Sequence, residues 1–413
     1  MTNKKVFYCR HFLTTCSVIV TISGCGDTAT LNASMNDDDL GSDALITTDV
    51  SGQIDVLDHN GARSANDLTN VGSRTFTDVG LQLFKIEEGP NGRILPVAVW
   101  YPGTNTNQLE PHVYLGFIPK SAVLNLAPAL ETRLPVVVFS HGNRGVKEQS
   151  VTLMEEIAKA GYIVLALDHV GNTFFEPYDE ESTLDERMNH IRPLDISYLL
   201  DWLEQPVGEQ TWLSQVVDLD RIGAIGHSRG GYTVLALAGA DVGLTPAYLT
   251  ACEDSDASPC QAYPPEEAPW DFTDDRIRTS IAYSPASYSI TLDGLASVTQ
   301  PILVMTGKQD QTTTYLGTVR PIYDALPSPK TLWTSESAGH YAFSDLCRVY
   351  DLLGEAAAFL GADCAGRSDQ QIDSAHDVIA RTTIAWLNME LRGAKKDPLL
   401  QSRVTGEYRV QSE

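Results

Sequence analysis

Residues 226–230 read Gly-His-Ser-Arg-Gly, with Ser228 at the centre. A serine hydroxyl attacks a carbonyl at neutral pH only when an imidazole takes its proton and a carboxylate orients that imidazole. The chain offers one residue for each task, in the order Ser228, Asp310, His340. Asp310 closes Pro301-Ile-Leu-Val-Met-Thr-Gly-Lys-Gln-Asp310, an apolar run that breaks at Gly307. His340 stands in Ser335-Glu-Ser-Ala-Gly-His340, also in a loop after an apolar run. The other histidines beyond residue 24 fit less well. His59 falls in a polar N-terminal stretch, and His112, His141, His169 and His190 precede the serine. His227 adjoins the serine inside the same turn, and His376 is expected on the surface of the last helix.

Acyl transfer also needs donors for the negative oxygen of its tetrahedral intermediate. One expected donor is the backbone N–H of Arg229, just after the serine. The second is expected from the loop Ser140-His-Gly-Asn-Arg-Gly145, with the Asn143 N–H first and Gly142 next. The chain has neither Gly-x-x-x-x-Gly-Lys nor Gly-x-Gly-x-x-Gly, so phosphate cradling is not expected and no cofactor is called for.

A serine so placed needs a strand, a sharp turn and a helix around it. Arg221–Ile225 supplies the apolar run before the turn, and 232–240 (YTVLALAGA) supplies the helix after it. Side chains at Gly226 and Gly230 would collide with so tight a turn. Further strands are predicted at 134–140, 162–167, 278–283, 301–306 and 330–334, with helices at 150–160, 193–204, 318–325 and 373–391. Apolar strands alternating with helices predict an α/β fold with a mostly parallel, doubly wound sheet. An antiparallel N-terminal hairpin is predicted from 76–86 and 94–100, parted by Glu88-Gly-Pro-Asn-Gly92. The folded domain is expected over residues 74–395, followed by a C-terminal tail at 396–413. Two insertions, 172–190 with Phe174, Phe175 and Tyr178, and 241–275 with Trp270, have the length of loops that shape a pocket.

Residues 1–24 read as a leader: Lys4, Lys5 and Arg10, then an apolar stretch ending Ile22-Ser23-Gly24-Cys25. Residues 25–73 are rich in Asp, Asn, Ser and Thr and read as a disordered acidic tether. Removing a leader with three basic and no acidic residues takes the formal net charge from −25 to −28. Such a surface repels nucleic acid and anionic headgroups. Of seven cysteines, Cys252, Cys260, Cys347 and Cys364 remain beyond Cys25, and proximity favours the pairs 252–260 and 347–364. No pair has Cys-x-x-Cys spacing and no histidine cluster accompanies them, so no metal site is expected.

The end of the leader resembles the lipobox of bacterial lipoproteins, which implies a lipid on Cys25. The stretches FSHGN, ALDHVGN, RPLDISYLLDWL, RIGAIGHSRGG, PILVMTGKQD and AGHYAFSDLC resemble, in order, the bacterial proteins grouped as predicted dienelactone hydrolases. They are also similar to α/β-hydrolases of the platelet-activating-factor acetylhydrolase type. The resemblance spans about Phe76 to Leu391 and implies a cofactor-free serine hydrolase with Ser228, Asp310 and His340 on the matching positions. The chain departs in one respect: the strand after the elbow helix runs into Ala282-Tyr-Ser-Pro-Ala286 without a carboxylate, which favours Asp310. Cutinase-like polyester hydrolases are similar in the GHSxGG elbow, but Ala286 stands where their aromatic platform is usual.

The expectation is an exported, lipid-anchored serine esterase of the cell envelope, preferably at the outer membrane. It would act on small-molecule or lipid esters and touch the membrane only through its N-terminal lipid. Phospholipid sn-2 acyl hydrolysis and polyester cleavage are the alternatives, with a silent surface binding protein behind them. Acyl length and oligomeric state are not fixed by the sequence.

Overall fold

The computed structural model describes residues 76–413 except 90–91, 130–131, 177–183, 244–269 and 355–359, together with paired strands between 15 and 57. By contacts the chain divides into Met1–Gly72 and Ser73–Glu413. In the first unit Thr15–Gly24 pairs antiparallel with Asp27–Asn36, and Leu45–Thr48 with Ile54–Leu57. Cys25, much of the expected tether, Cys252, Cys260 and Tyr178 lie outside the described residues.

The second unit is built on one large mixed sheet. Its main strands are β1 (Asp78–Ile86), β2 (Leu95–Thr104), β3 (Leu134–Ser140), β4 (Ile163–Leu167), β5 (Val217–His227), β6 (Ile277–Tyr283), β7 (Ile302–Gly307), β8 (Lys330–Ser335) and β9 (Tyr408–Ser412). Their spatial order is 1-2-4-3-5-6-7-8-9. β3 to β8 run parallel, whereas β1 and β2 form the expected antiparallel hairpin and β2 lies antiparallel to β4. The helices that bear on the site are α1 (Val151–Lys159), α2 (Leu184–Glu204), α3 (Arg229–Leu237), α4 (Arg320–Ala325) and α5 (Asp369–Arg392).

Both faces of the sheet are covered, which is why its central strands read as unbroken apolar runs. Val136 and Val138 of β3 join one core with α2, α3 and α4, while Val137 and Phe139 join the other with α1 and α5. Among the described residues no helix is long and apolar enough to cross a membrane.

The structure corrects three expectations. Helix α2 starts at Leu184 rather than at Pro193, which lies inside it. Proline lacks the N–H that would bond the Asn189 carbonyl; the Tyr232 hydroxyl donates to that oxygen instead, at 2.9 Å. Residues 396–413 are not a free tail, because β9 pairs antiparallel with β8 and extends the sheet. His376, expected on the surface of α5, is buried and bonds the Ser344 carbonyl oxygen at 3.1 Å.

Candidate active site

Strand β5 delivers Ser228 to the C-terminal edge of the sheet. There the backbone turns with φ 56° and ψ −114°, a conformation that L-residues avoid and that tertiary contacts must hold. Three backbone bonds do so: Ser228 N–H to Tyr283 O at 2.8 Å, and Ser228 O from Tyr232 N–H at 3.2 Å and Ala286 N–H at 3.1 Å. The glycines have a measurable purpose. A Cβ on Gly226 would lie 1.9 Å from Gly230 O, and one on Gly230 would lie 1.9 Å from Ser140 O. The elbow therefore packs directly on the end of β3.

The loop leaving β3 turns at Gly142 to Gly145, closed by Gly145 N–H to Gly142 O at 3.0 Å with Arg144 at φ 53°. It passes against the serine, since a Cβ on Gly142 would stand 3.5 Å from Ser228 Cβ. The Gly142 N–H is already committed to Gln149 Oε1 at 3.0 Å, which removes the second-ranked oxyanion donor. No protein acceptor takes the Asn143 N–H among the described residues. Arg229 opens helix α3, where the first amides lack an intrahelical acceptor. Its buried guanidinium donates to Asn143 Oδ1 at 2.9 Å and to Asn189 Oδ1 at 2.8 Å. Asn172 Nδ2 donates to the same Asn143 oxygen at 2.8 Å.

Asp310 and His340 meet because the loops after β7 and β8 touch. A Cβ on Gly307 would lie 1.9 Å from Ala338 O, and Gln309 N–H bonds that same oxygen at 3.0 Å. His340 Nδ1 stands 2.8 Å from Asp310 Oδ2. The remaining lone pairs of the carboxylate accept from the Thr312 and Thr313 amides, both at 2.8 Å, and from Thr313 Oγ1 at 2.9 Å. Burial alone would raise the Asp310 pKa, but hydrogen bonding and charge attraction from His340, with the Thr313 amide, hold it below the ordinary carboxylate value. An ionised Asp310 accepts a hydrogen bond from Nδ1–H, which leaves Nε2 as the basic atom of His340.

Next to Ser228 in the chain, His227 touches this pair. His227 and His340 have ring centroids 4.7 Å apart, and His227 Nε2 lies 2.9 Å from His340 O. No hydrogen bond joins Ser228 Oγ to His340 among the described residues.

A second Ser–His–Asp array is present, formed by residues that no sequence pattern brings together. Ser140 Oγ is 2.9 Å from His169 Nε2, and His169 Nδ1 is 3.0 Å from Asp195 Oδ2. All three are fully buried. Arg192 donates to Ser140 Oγ at 3.2 Å and to the His141 carbonyl. Burial, then the Arg192 and His141 charges, push the His169 pKa well below its ordinary value. An imidazole so disfavoured as a cation is a poor proton acceptor, and its serine cannot meet a substrate. This array is a buried brace under the end of β3.

Sequence reasoning assigned no role to Gln149, Thr313, Asn172 and Asn189, because their partners lie far away in the chain. It also saw His227 only as a poor base. The Cys347–Cys364 pair is a disulfide with Cα atoms 4.9 Å apart, six residues beyond Tyr341. A cavity of about 330 Å³ lies between β8, β9 and α5, lined by Trp333, Arg367, Gln371, Glu407 and Tyr408 among others, with none of Ser228, Asp310 or His340 in its wall.

Comparison with known proteins agrees with this architecture. A family model described as Chlorophyllase matches residues 102–250, which contain Asn143, Ser228 and Arg229 but neither Asp310 nor His340. Among solved structures, a ferulic acid esterase from Streptomyces cinnamoneus superposes with a TM-score of 0.56 at 20% identity, covering 81% of this chain and 96% of that one. No curated protein matches in sequence. The chain has the α/β-hydrolase fold.

Proposed function

We propose that this α/β-hydrolase is a serine hydrolase of carboxylic esters acting through an acyl-enzyme. Ser228 Oγ attacks the ester carbonyl while His340 Nε2 takes its proton. Asp310, bonded to Nδ1, holds the ring and stabilises its cation. The Arg229 and Asn143 amides receive the oxyanion, His340 returns the proton to the departing alcohol, and water repeats the sequence to release the acid.

The observation that carries this reading is the 2.8 Å contact between His340 Nδ1 and a fully hydrogen-bonded Asp310, taken together with a serine held at positive φ. The Chlorophyllase match and the likeness to a ferulic acid esterase support esters as the substrate class. Export through the leader and anchoring through Cys25 belong to the same reading. The Cys347–Cys364 disulfide supports them, since such bonds persist in oxidising compartments.

Purified protein should release p-nitrophenol from short acyl esters, and Ser228→Ala should remove that activity together with labelling by a fluorophosphonate. Unchanged turnover in the variant would exclude the serine from the mechanism. Parallel assays on short-chain phospholipid and on polyester film separate the two narrower substrates.

A further inference from the structure

We infer that Gln149 and His227 are positioning residues, a hydrogen-bonded strut that fixes the oxyanion turn relative to the general base. The inference rests on the mechanism proposed above. Gln149 immediately precedes Ser150 and helix α1, and its buried side chain reaches under both loops. Its Oε1 accepts the Gly142 N–H at 3.0 Å, and its Nε2 lies 2.9 Å from His227 Nδ1. The other ring nitrogen, His227 Nε2, lies 2.9 Å from the carbonyl oxygen of His340.

The chemistry of the partners fixes the direction of every bond. A backbone N–H can only donate, so the Gly142 contact assigns Oε1 and turns the amide NH₂ toward His227. His227 Nδ1 must then accept, which places the ring proton on Nε2, where the His340 carbonyl needs a donor. Burial, followed by the neighbouring His340, keeps His227 neutral with a pKa lowered to about 3. The result is one uninterrupted chain: Gly142 N–H to Gln149, Gln149 to His227, His227 to His340 O.

What this chain spans is the distance the reaction depends on. At one end it commits the Gly142 amide, so that amide is withdrawn from an oxyanion and the Asn143 amide is left to serve it. At the other it holds the backbone of the residue that must take the serine proton. The base of the strut is itself anchored, because Gln149 O accepts the Asp345 N–H at 2.8 Å and Ser150 Oγ donates to Phe343 O at 2.8 Å. Segments 149–150 and 343–345 are therefore tied to each other by two hydrogen bonds. Misplacing reacting groups by about 1 Å typically lowers rate by about 10²-fold without abolishing binding.

Three variants test the strut on a soluble ester. Gln149→Glu keeps an acceptor for Gly142 but cannot donate to His227; the ring must move its proton to Nδ1 and abandons the His340 carbonyl. His227→Phe abandons it too, while His227→Gln keeps an amide donor at the reach of Nε2. For Gln149→Glu and His227→Phe the expected result is a kcat lowered about 10- to 100-fold with KM changed less than about threefold. His227→Gln should recover most of that loss, to within about fivefold of the parent. Near-ultraviolet circular dichroism and the thermal midpoint establish that each variant is folded. A folded Gln149→Glu protein with kcat within about twofold of the parent overturns the inference, as does a His227→Gln protein no better than His227→Phe. Activity surviving in Ser228→Ala would instead strike the underlying mechanism, so the two failures are distinguishable.

Discussion

The guanidinium of Arg229 donates to the side-chain oxygen of Asn143 at 2.9 Å. These are the two residues whose backbone amides would receive the oxyanion, and their side chains tie them together. One sits at the start of helix α3 and the other in the loop after β3, so the tie joins two elements at the point where their amides must converge. Asn143→Ala keeps its amide but loses this tie and the one to Asn172. Its kcat on a p-nitrophenyl ester should fall about tenfold with little change in KM. A value within twofold would mean that the turn holds its amide in place without help.

The Ser140 hydroxyl contacts a histidine but has no exposed surface, whereas Ser228 keeps 7% exposure. Ser140→Ala should still be labelled by a fluorophosphonate at the parental rate per folded molecule, with stability lowered by about 1–3 kcal/mol through loss of a buried hydrogen bond. Ser228→Ala should not be labelled at all. Labelling that follows Ser140 would reverse the assignment of the nucleophile.

The elbow tolerates no side chain at Gly226 or Gly230, because each added carbon would fall 1.9 Å from a carbonyl oxygen of the backbone. Neither oxygen can swing aside as a flexible side chain would. Gly226→Ala and Gly230→Ala should each lower stability by more than about 4 kcal/mol or prevent folding, in the range reserved for severe core disruption. Urea denaturation of either variant with a parental midpoint would contradict the packing described.

Acid should weaken the fold through its buried imidazoles. Burial holds His227 at a pKa of about 3, whereas an unfolded histidine titrates near 6.5. Between those values the unfolded chain binds the proton and the native chain does not, so stability falls as the pH drops from about 6.5 toward 3. Each such group contributes at most about 1.4 kcal/mol per pH unit. His141 and His169 are depressed in the same direction by burial and add to the slope. In His227→Gln the proton uptake on unfolding at pH 5 should be smaller by about one. Urea titrations across pH read this directly, and identical slopes for parent and variant would refute it.

The Cys347–Cys364 disulfide closes a loop of 17 residues just after His340. Chain-entropy arguments assign such a bond about 3 kcal/mol. The double variant Cys347→Ala with Cys364→Ala should lose about that much stability in urea denaturation. A reductant-sensitive double variant would point to another bond.

The order Ser228, Asp310, His340, the two elbow glycines and the alternation of apolar strands with helices were legible in the chain. Each rests on local rules: side-chain period, turn chemistry and the connection lengths of a parallel sheet. The departures were equally local in origin. Pro193 read as a helix start because proline suits that position, and only the Tyr232 hydroxyl, which takes over a carbonyl left without its amide, lets the helix run through it. His376 read as a surface residue because its partner, the Ser344 carbonyl, lies 32 positions away.

The amino-acid sequence alone therefore named the nucleophile, the base and the acid as candidates and set the kind of sheet that carries them. The tertiary structure decided which groups surround them: that Ser140, His169 and Asp195 form a sealed array, that the Gly142 amide is taken, and that Gln149 and His227 link the turn at Gly142 to the backbone of His340. Those bonds join residues 78 and 113 positions apart. Their existence depends on which strands lie side by side and in what register, and no local pattern of residues encodes that.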